Sequence, residues 1–448
     1  MDTLAVILAA GQGTRMRSQL PKVLHPLLGK PMVRYAVEMA AHVTGHAPYV
    51  VIGHGADLVV KELGGEAVFV IQEQQLGTGH AVLQSESAIK DHKGQILVTN
   101  ADLPLLKEDT IAELIKTQTG NKGPLSLLTV TGPDSRGFGR IIRDPHGYVE
   151  AIVEEAQASP EQLAIKEYNV GVYCIDSLWL WGALKRIQRS PKGEYYLTDI
   201  VQLAVADGLQ VKVSAVSEPV EALGINTRQH LAEAEAALRQ RINLEWMLNG
   251  VTMIDPSQVY IEPGVKLQPD TTIWPGTYIK GKTEIGSGSV LGPNTIIESS
   301  QIGKDCRILA SVMEFATLED HVEMGPFCHL RKGAHLASHV HMGNFGEVKD
   351  SYLGEGTKMG HFSYIGNAQI AGNVNIGAGT ITCNYDGKSK HPTIIEEDVF
   401  IGSDTMLVAP VKIGKGAKTG AGAVVIRDVA PNELVVGVPA RPIHKVKP

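Results

Sequence analysis

The chain has 448 residues, enough for two or three domains and too many for a single small module. Hydrophobic residues make up 43% and charged residues 20%, which excludes a disordered or collagen-like chain, while 48 glycines against 5% aromatics indicate that tight backbone rather than large rings builds part of the fold. The 41 basic and 48 acidic residues are interspersed and leave a net charge of -7, so there is no basic field for a nucleic-acid backbone and anionic ligands need local sites. The opening run to Ala10 has no basic n-region or cleavage site, and no stretch approaches the roughly 18 apolar residues of a membrane span. Cys174, Cys306, Cys328 and Cys383 stand far apart without a CxxC pair, which argues against a disulfide framework or zinc site. These features predict a soluble cytoplasmic protein.

Residues 1–227 alternate short aliphatic runs (4–9, 49–52, 67–71, 95–99, 125–130) with helix-like stretches, the pattern of a doubly wound α/β domain around a mainly parallel sheet. Ligands of such sheets sit at the strand C-termini. There the first run enters Leu8-Ala9-Ala10-Gly11-Gln12-Gly13-Thr14-Arg15-Met16. Glycines in this turn let backbone N–H groups approach an anion, and a plain tight turn is the competing reading. A dinucleotide fingerprint would place a third glycine where Met16 stands, and a Walker loop would carry GK[ST]; neither is present. Arg15 and Lys22 add two fixed cations, suited to a triphosphate whose departing pyrophosphate must be stabilised. The run 95–99 ends in Asn100-Ala101-Asp102-Leu103-Pro104, placing a carboxylate at the sheet's C-terminal edge. Asp102 with Asn226 would give Mg²⁺ the one or two protein oxygens it favours beside phosphate and water. Alternatively, Asp102 is a turn residue before proline and Asn226 the N-cap of the next helix.

That helix is predicted over 228–248, where Leu231, Ala234, Leu238 and Ile242 recur at helical spacing. Beyond it the period becomes six, with aliphatics at Ile261, Leu267, Ile273, Ile279, Ile285, Leu291 and Ile297. Four residues after each of the first six stands a small or β-branched residue: Val265, Thr271, Thr277, Thr283, Ser289 and Thr295. One large and one small inward position per hexad describe a flat-faced solenoid, a parallel β-helix of three hexads per coil and about ten coils between Val251 and Ala430. Register breaks mark loops, the clearest being NYDGKSKHPT (384–393). Histidines 321, 329, 335, 339 and 341 fall at irregular spacing and read as surface or stacking residues rather than metal ligands.

The string LAAGQGTRMRSQLPKVLH, with QLGTGHA at 75–81, resembles the nucleoside-triphosphate sugar-1-phosphate nucleotidyltransferases, and specifically the bacterial bifunctional N-acetylglucosamine-1-phosphate uridyltransferase/glucosamine-1-phosphate acetyltransferase family. The likeness covers nearly the whole chain. It implies a Rossmann-like nucleotidyltransferase domain (1–227), a linker helix (228–250) and a left-handed parallel β-helix of hexapeptide repeats (251–448). It places UTP on Leu8, Ala9, Ala10 and Gly11, with Lys22, Gln72, Gly77 and Thr78 around uracil and phosphates, and Gly139, Glu154, Asn169 and Asn226 toward the sugar nucleotide. Arg15 and Lys22 become catalytic, and Asp102 and Asn226 the magnesium ligands. In the solenoid, His361 of Gly360-His361-Phe362-Ser363-Tyr364 becomes the acetyltransferase base. Arg331, Lys349, Tyr364 and Asn375 then hold the sugar phosphate, and Ala378, Asn384, Tyr385, Ser403 and Ala421 hold acetyl-CoA. The implied reactions are acetyl transfer to glucosamine 1-phosphate, then uridylyl transfer from UTP with release of pyrophosphate, in a homotrimer. The product, UDP-N-acetylglucosamine, supplies peptidoglycan and lipopolysaccharide precursors. The chain departs from the family pattern at Ala101, Val170, Gly346 and Gly437; at the last, relatives often carry arginine, and Arg441 or Lys418 could serve instead. His361 and the NYDG loop disfavour a uridyltransferase with an inert solenoid, and Arg15, Lys22 and Asp102 disfavour a sensor without catalysis.

Overall fold

The computed structural model describes residues 2–445; Met1 and residues 446–448, at the outer ends of the two expected domains, lie outside the described residues. The chain forms two compact units, Met1–Leu238 and Arg239–Pro448, and the division falls inside the helix Arg228–Leu248.

The first unit is built on one sheet. Its strands are β1 (Thr3–Leu8), β2 (Tyr49–Ile52), β3 (Val68–Ile71), β4 (Gln95–Asn100), β5 (Leu125–Thr131), β6 (Arg140–Arg143), β7 (Val149–Val153), β8 (Glu167–Asp176) and β9 (Val211–Ala215). They lie in the order β9-β5-β8-β4-β1-β2-β3, with β6 paired to β8 and β7 to β6. Helices cover both faces, so β1 buries Val6 and Ile7 on opposite sides and reads as a continuous apolar run. The sheet is mainly parallel, as the aliphatic runs predict, with β8 and the edge strand β7 reversed among strands that otherwise share one direction. β1–β2, β1–β4, β2–β3 and β5–β9 are parallel, but β8 is antiparallel to β4, β5 and β6. The cause lies in residues 132–166. A parallel return needs a crossover of about a dozen residues or more, usually a helix, and this segment is spent on the antiparallel β6–β7 pair and a four-residue helix, Pro160–Leu163. At the other end of the sheet, Leu8 pairs with Asn100, and Ala101 N donates to Leu8 O at 3.1 Å. The glycine loop and Asp102 therefore leave the sheet side by side.

The second unit is a three-faced solenoid in which each strand from Thr252–Met253 to Met406–Val408 pairs in parallel with the third strand after it, and the last pair, Glu433–Val436 with Arg441–Lys445, is antiparallel. Along one face the pairs run Thr272, Val290, Arg307, Glu323, His341, Lys358 and Asn375, a step of 16 to 18 residues per coil. The next step, Asn375 to Phe400, absorbs the 384–393 loop without disturbing the pairing. All seven in-register aliphatics from Ile261 to Ile297 are buried, as are the small residues between them, so both inward positions of the hexad are real. The buried hydroxyls also satisfy the backbone at the corners. Thr283 Oγ1 donates to Lys280 O at 2.6 Å and accepts from Ser300 N at 3.3 Å; Thr277 and Thr271 make the same donor contact within their own turns.

Because the valine side chain has the shape of threonine and no hydroxyl, Thr283→Val removes the acceptor of the buried Ser300 N–H and one of the two donors to Lys280 O. The expected loss is about 1–3 kcal/mol, measured by chemical denaturation, with the outward-facing Thr272→Val nearly neutral.

Candidate active sites

In the first unit, the loop after β1 is held from below by Met16, whose side chain is fully buried. Gly13 has φ 62, and a Cβ there would stand 2.5 Å from the Lys22 Cβ, so only glycine lets the loop close on the segment carrying Lys22. Lys22 opens the short 3-10 turn Lys22–Leu24. Its ammonium donates to Asp102 Oδ2 at 2.6 Å and to Asn226 Oδ1 at 3.1 Å, with Lys22 and Asp102 side chains only 15% and 21% exposed. Residues 80 and 204 positions apart thus meet at one nitrogen. Asp102 lies in the turn before Leu103-Pro104 and directs its side chain to Lys22, while the helix N-terminus is capped by Thr227 rather than Asn226: Thr227 Oγ1 accepts from His230 N at 3.1 Å.

A cleft opens beside this node. It is lined by Leu8, Thr78, Asp102, Gly139, Glu154, Asn169 and Asn226 among the sequence-predicted residues. Arg15 is exposed beyond it, and Ala9, Ala10, Gly11, Gln72 and Gly77 flank rather than line it. Gly77 has φ 104, and a Cβ would fall 2.6 Å from Tyr195 O; this close approach lets Leu197 N donate to Thr78 Oγ1 at 3.0 Å. Gln72 Nε2 donates to Gly77 O at 3.2 Å and meets His80 Nδ1 at 2.9 Å, and burial holds the His80 imidazole below its ordinary pKa. Asn169 is partly committed inside its strand, donating to Tyr173 Oη at 2.8 Å and accepting from Gly171 N at 3.1 Å. Burial pushes the Tyr173 phenol up, so it stays neutral. Phe138, Tyr173 and Thr198 also line the cleft, and no sequence motif marked them.

Glu154 accepts from Thr198 Oγ1 at 3.1 Å, and burial raises its carboxyl above the usual range; the nearby Asp199 carboxyl is raised by burial and then by Glu154.

In the second unit the expected acyl-site residues fall on neighbouring coils. The backbone ladder Gly379 N to Phe362 O, Asp404 N to Ala378 O and Gly422 N to Ser403 O carries the corners holding His361, Ala378, Ser403 and Ala421 up successive turns. His361 is exposed and makes no side-chain hydrogen bond among the described residues. On the adjoining face, Arg331 N bonds Val348 O, Lys349 pairs with Gly366, and Tyr364 pairs with Glu347. Arg331 Nη1 donates to Glu347 Oε1 at 2.9 Å; Glu347, which no motif marked, pairs with His329 on the adjoining coil. The Tyr364 hydroxyl lies over Gly366 beside Asn384, whose amide donates to Asn367 Oδ1 at 2.7 Å. Asn375 sits on a different face, between Lys358 and Phe400. Tyr385 is bridged to Lys390 across the loop, where backbone N–H groups of Ser389 and Lys388, with His391, hold the Asp386 carboxyl well below the carboxylate range.

The solenoid histidines pair with carboxylates, His329 with Glu314, His335 with Glu319 and His341 with Glu323, while His321 stacks on His339 at 4.8 Å. Among the described residues no group of three or more His, Cys, Asp or Glu could hold a metal ion, and all four cysteines are free.

The two units define a nucleotidyltransferase joined to a hexapeptide-repeat transferase. Residues 5–206 match the MobA-like NTP transferase domain, and residues 392–427 match the bacterial transferase hexapeptide of six repeats. Proteins named bifunctional protein GlmU match nearly end to end. That of Exiguobacterium sibiricum is 43% identical over 100% of this chain and 99% of its own length. Those of Halalkalibacterium halodurans and Geobacter metallireducens are each 44% identical over 97% of this chain and 96% of theirs. The chain belongs to the bifunctional GlmU family, and its second unit is the family's left-handed hexapeptide β-helix.

Raising a carboxyl's folded pKa above its unfolded value favours folding below the unfolded pKa, and that contribution is lost as pH rises through the folded value. Ionised Glu154 therefore opposes folding near neutrality. Glu154→Gln should raise the melting temperature at pH 7 to 8, and the gain should shrink as pH falls toward the ordinary carboxylate range, about pH 4.

Proposed function

We propose that the chain makes UDP-N-acetylglucosamine by two transfers, acetylating glucosamine 1-phosphate in the solenoid and then uridylylating the product in the N-terminal unit. The observation that carries this reading is that each unit of a chain related end to end to bifunctional proteins has its own cluster of chemistry-bearing side chains.

In the solenoid, the free amine of the sugar attacks the thioester carbonyl, the C–S bond breaks, and an amide forms. His361, exposed on its coil, takes the proton from the amine, and the thiolate leaves without a strong acid partner. Arg331 and Lys349, on adjacent coils, supply positive charge for the sugar phosphate. Tyr364, Asn375, Asn384 and Tyr385 orient the substrates, and Ala378, Ser403 and Ala421 offer small corners along which coenzyme A lies. A homotrimer completes these sites. Its support is an apolar edge exposed on the single chain, where Phe327 and Phe345 stack at 5.4 Å while 61% and 58% exposed, near the exposed Phe362.

In the N-terminal unit, a phosphate oxygen of the acetylated sugar attacks the α-phosphorus of UTP, the bond to the β-phosphate breaks, and pyrophosphate departs with no covalent enzyme intermediate. The backbone from Leu8 to Gly11 cradles the phosphates, and no atom lies within 4 Å of the space a Gly11 Cβ would fill. Gln72, Gly77 and Thr78 face the base; Gly139, Glu154 and Asn169 face the sugar. Arg15 and Lys22 take up charge on the pyrophosphate. The oxygens of Asp102 and Asn226 suit a hard divalent cation, since both are aimed at one cationic partner in Lys22 Nζ. Magnesium bound there supplies charge neutralisation and Lewis acidity to the triphosphate. Among the described residues no helix is long and apolar enough to cross a membrane, and three of the four free cysteines are buried; we place the protein in the cytoplasm.

With glucosamine 1-phosphate, acetyl-CoA, UTP and Mg²⁺, the enzyme should release both free thiol and pyrophosphate. Asp102→Ala should lose pyrophosphate release by more than about a hundredfold and keep thiol release. His361→Ala should lose thiol release and still form pyrophosphate from N-acetylglucosamine 1-phosphate. Thiol release at full rate by His361→Ala, or pyrophosphate release at full rate by Asp102→Ala, contradicts the corresponding half.

A further inference from the structure

Lys22 and the two cation-site oxygens present a conflict of occupancy. The ammonium stands within hydrogen-bond distance of both Asp102 Oδ2 and Asn226 Oδ1, the two oxygens that the proposed function gives to a divalent cation. A carboxylate with 21% of its side chain exposed is costly to leave without a counter-charge, and Lys22 provides it. A cation entering the same pair meets a positive charge a few ångströms away and competes with it for these oxygens. Gly13 keeps the Lys22 main chain packed under the phosphate loop, so the base of the side chain is fixed while its four-carbon stem can swing.

We propose that Lys22 is an exchangeable internal cation: it holds Asp102 and Asn226 together in the empty enzyme, is displaced when the divalent ion binds, and then turns its ammonium to the nucleotide phosphates. The inference rests on the cation site of the proposed function and gives that site an order of events. Ion alone binds weakly because it must expel Lys22. Ion with triphosphate binds tightly because the nucleotide offers the expelled ammonium a new partner. The same exchange couples the two ligands, each improving the other's affinity by the same factor. It also leaves the empty site without a bare carboxylate.

The test is binding of Mn²⁺, followed by electron spin resonance without any turnover. If the ion-accessible arrangement is about a tenth of the empty enzyme, removing the competitor tightens binding about tenfold. Lys22→Met without nucleotide should therefore bind Mn²⁺ about tenfold more tightly than the parent, and the gain that UTP gives to Mn²⁺ binding should shrink by the same factor. Asp102→Ala should bind Mn²⁺ poorly in either background; if it binds as the parent does, the cation site itself is misplaced and the exchange falls with it. If Asp102→Ala loses Mn²⁺ while Lys22→Met gains nothing, the site stands and the exchange is overturned. A measurement on the unaltered enzyme guards against misfolding of the variant: acylation of Lys22, quantified by peptide mass spectrometry, should rise severalfold on adding Mg²⁺ alone. Unchanged labelling overturns the proposal.

Discussion

The bond from the Lys22 ammonium to Asp102 and Asn226 is the constraint on which the nucleotide half depends. It draws together the phosphate loop, the end of β4 and the segment before the long helix, from parts of the chain that share no local structure. Each partner is delivered by a backbone feature: Gly13 admits Lys22, the Leu8–Asn100 register places Asp102, and the Asp102 carbonyl accepts from Ile225 N at 3.0 Å, which fixes Asn226 beside it. The ion pair lies near the surface and contributes modestly to stability. Its value is positional, since it keeps two oxygens aimed at one point before any ligand arrives.

The acyl half rests on a different constraint, the constant rise of coils in a parallel solenoid. Because each turn returns to the same corner after 16 to 18 residues, or 25 where the 384–393 loop is extruded, His361, Ala378, Ser403 and Ala421 line up on successive coils. The corner hydroxyls make this regularity affordable for the backbone, and the buried Ile, Leu and Thr layers leave little space for rings, which accounts for the scarcity of aromatics. The rings present are largely displaced outward. Phe315, Phe327 and Phe345 take positive φ at the corners and stand exposed, a placement more easily understood on a surface that meets another copy.

Much of the solenoid was legible because a period of six leaves one large inward residue per strand, and a mistake in register would have put Ile279 or Leu291 in water. The N-terminal strands β1, β2 and β4 were legible as apolar runs buried on both faces. β6, β7 and β8 were not: Arg140–Arg143 and Val149–Val153 mix charge with aliphatics, and the pairing of β8 shifts between Asn169 and Tyr173, beside Gly171 at φ 82. The two reversed strands of the sheet, β7 and β8, are among those unseen. At the site, Asp102 and Asn226 could be named from sequence, but their common partner could not, because hydrogen bonding across 204 residues has no local signature. Phe138, Tyr173 and Thr198 line the cleft through tertiary contacts that no local motif announces, Tyr173 and Thr198 with hydrogen bonds to Asn169 and Glu154. Glu347 was recoverable in principle, as the residue one coil beyond His329, two positions from Arg331.

The most direct measurement is a crystal structure of the enzyme with UTP and Mg²⁺ in the N-terminal unit. The account predicts electron density for the ion against Asp102 and Asn226, with the Lys22 ammonium moved off both and onto the phosphates. An ion bound elsewhere, with Lys22 still at 2.6 Å from Asp102, would contradict it.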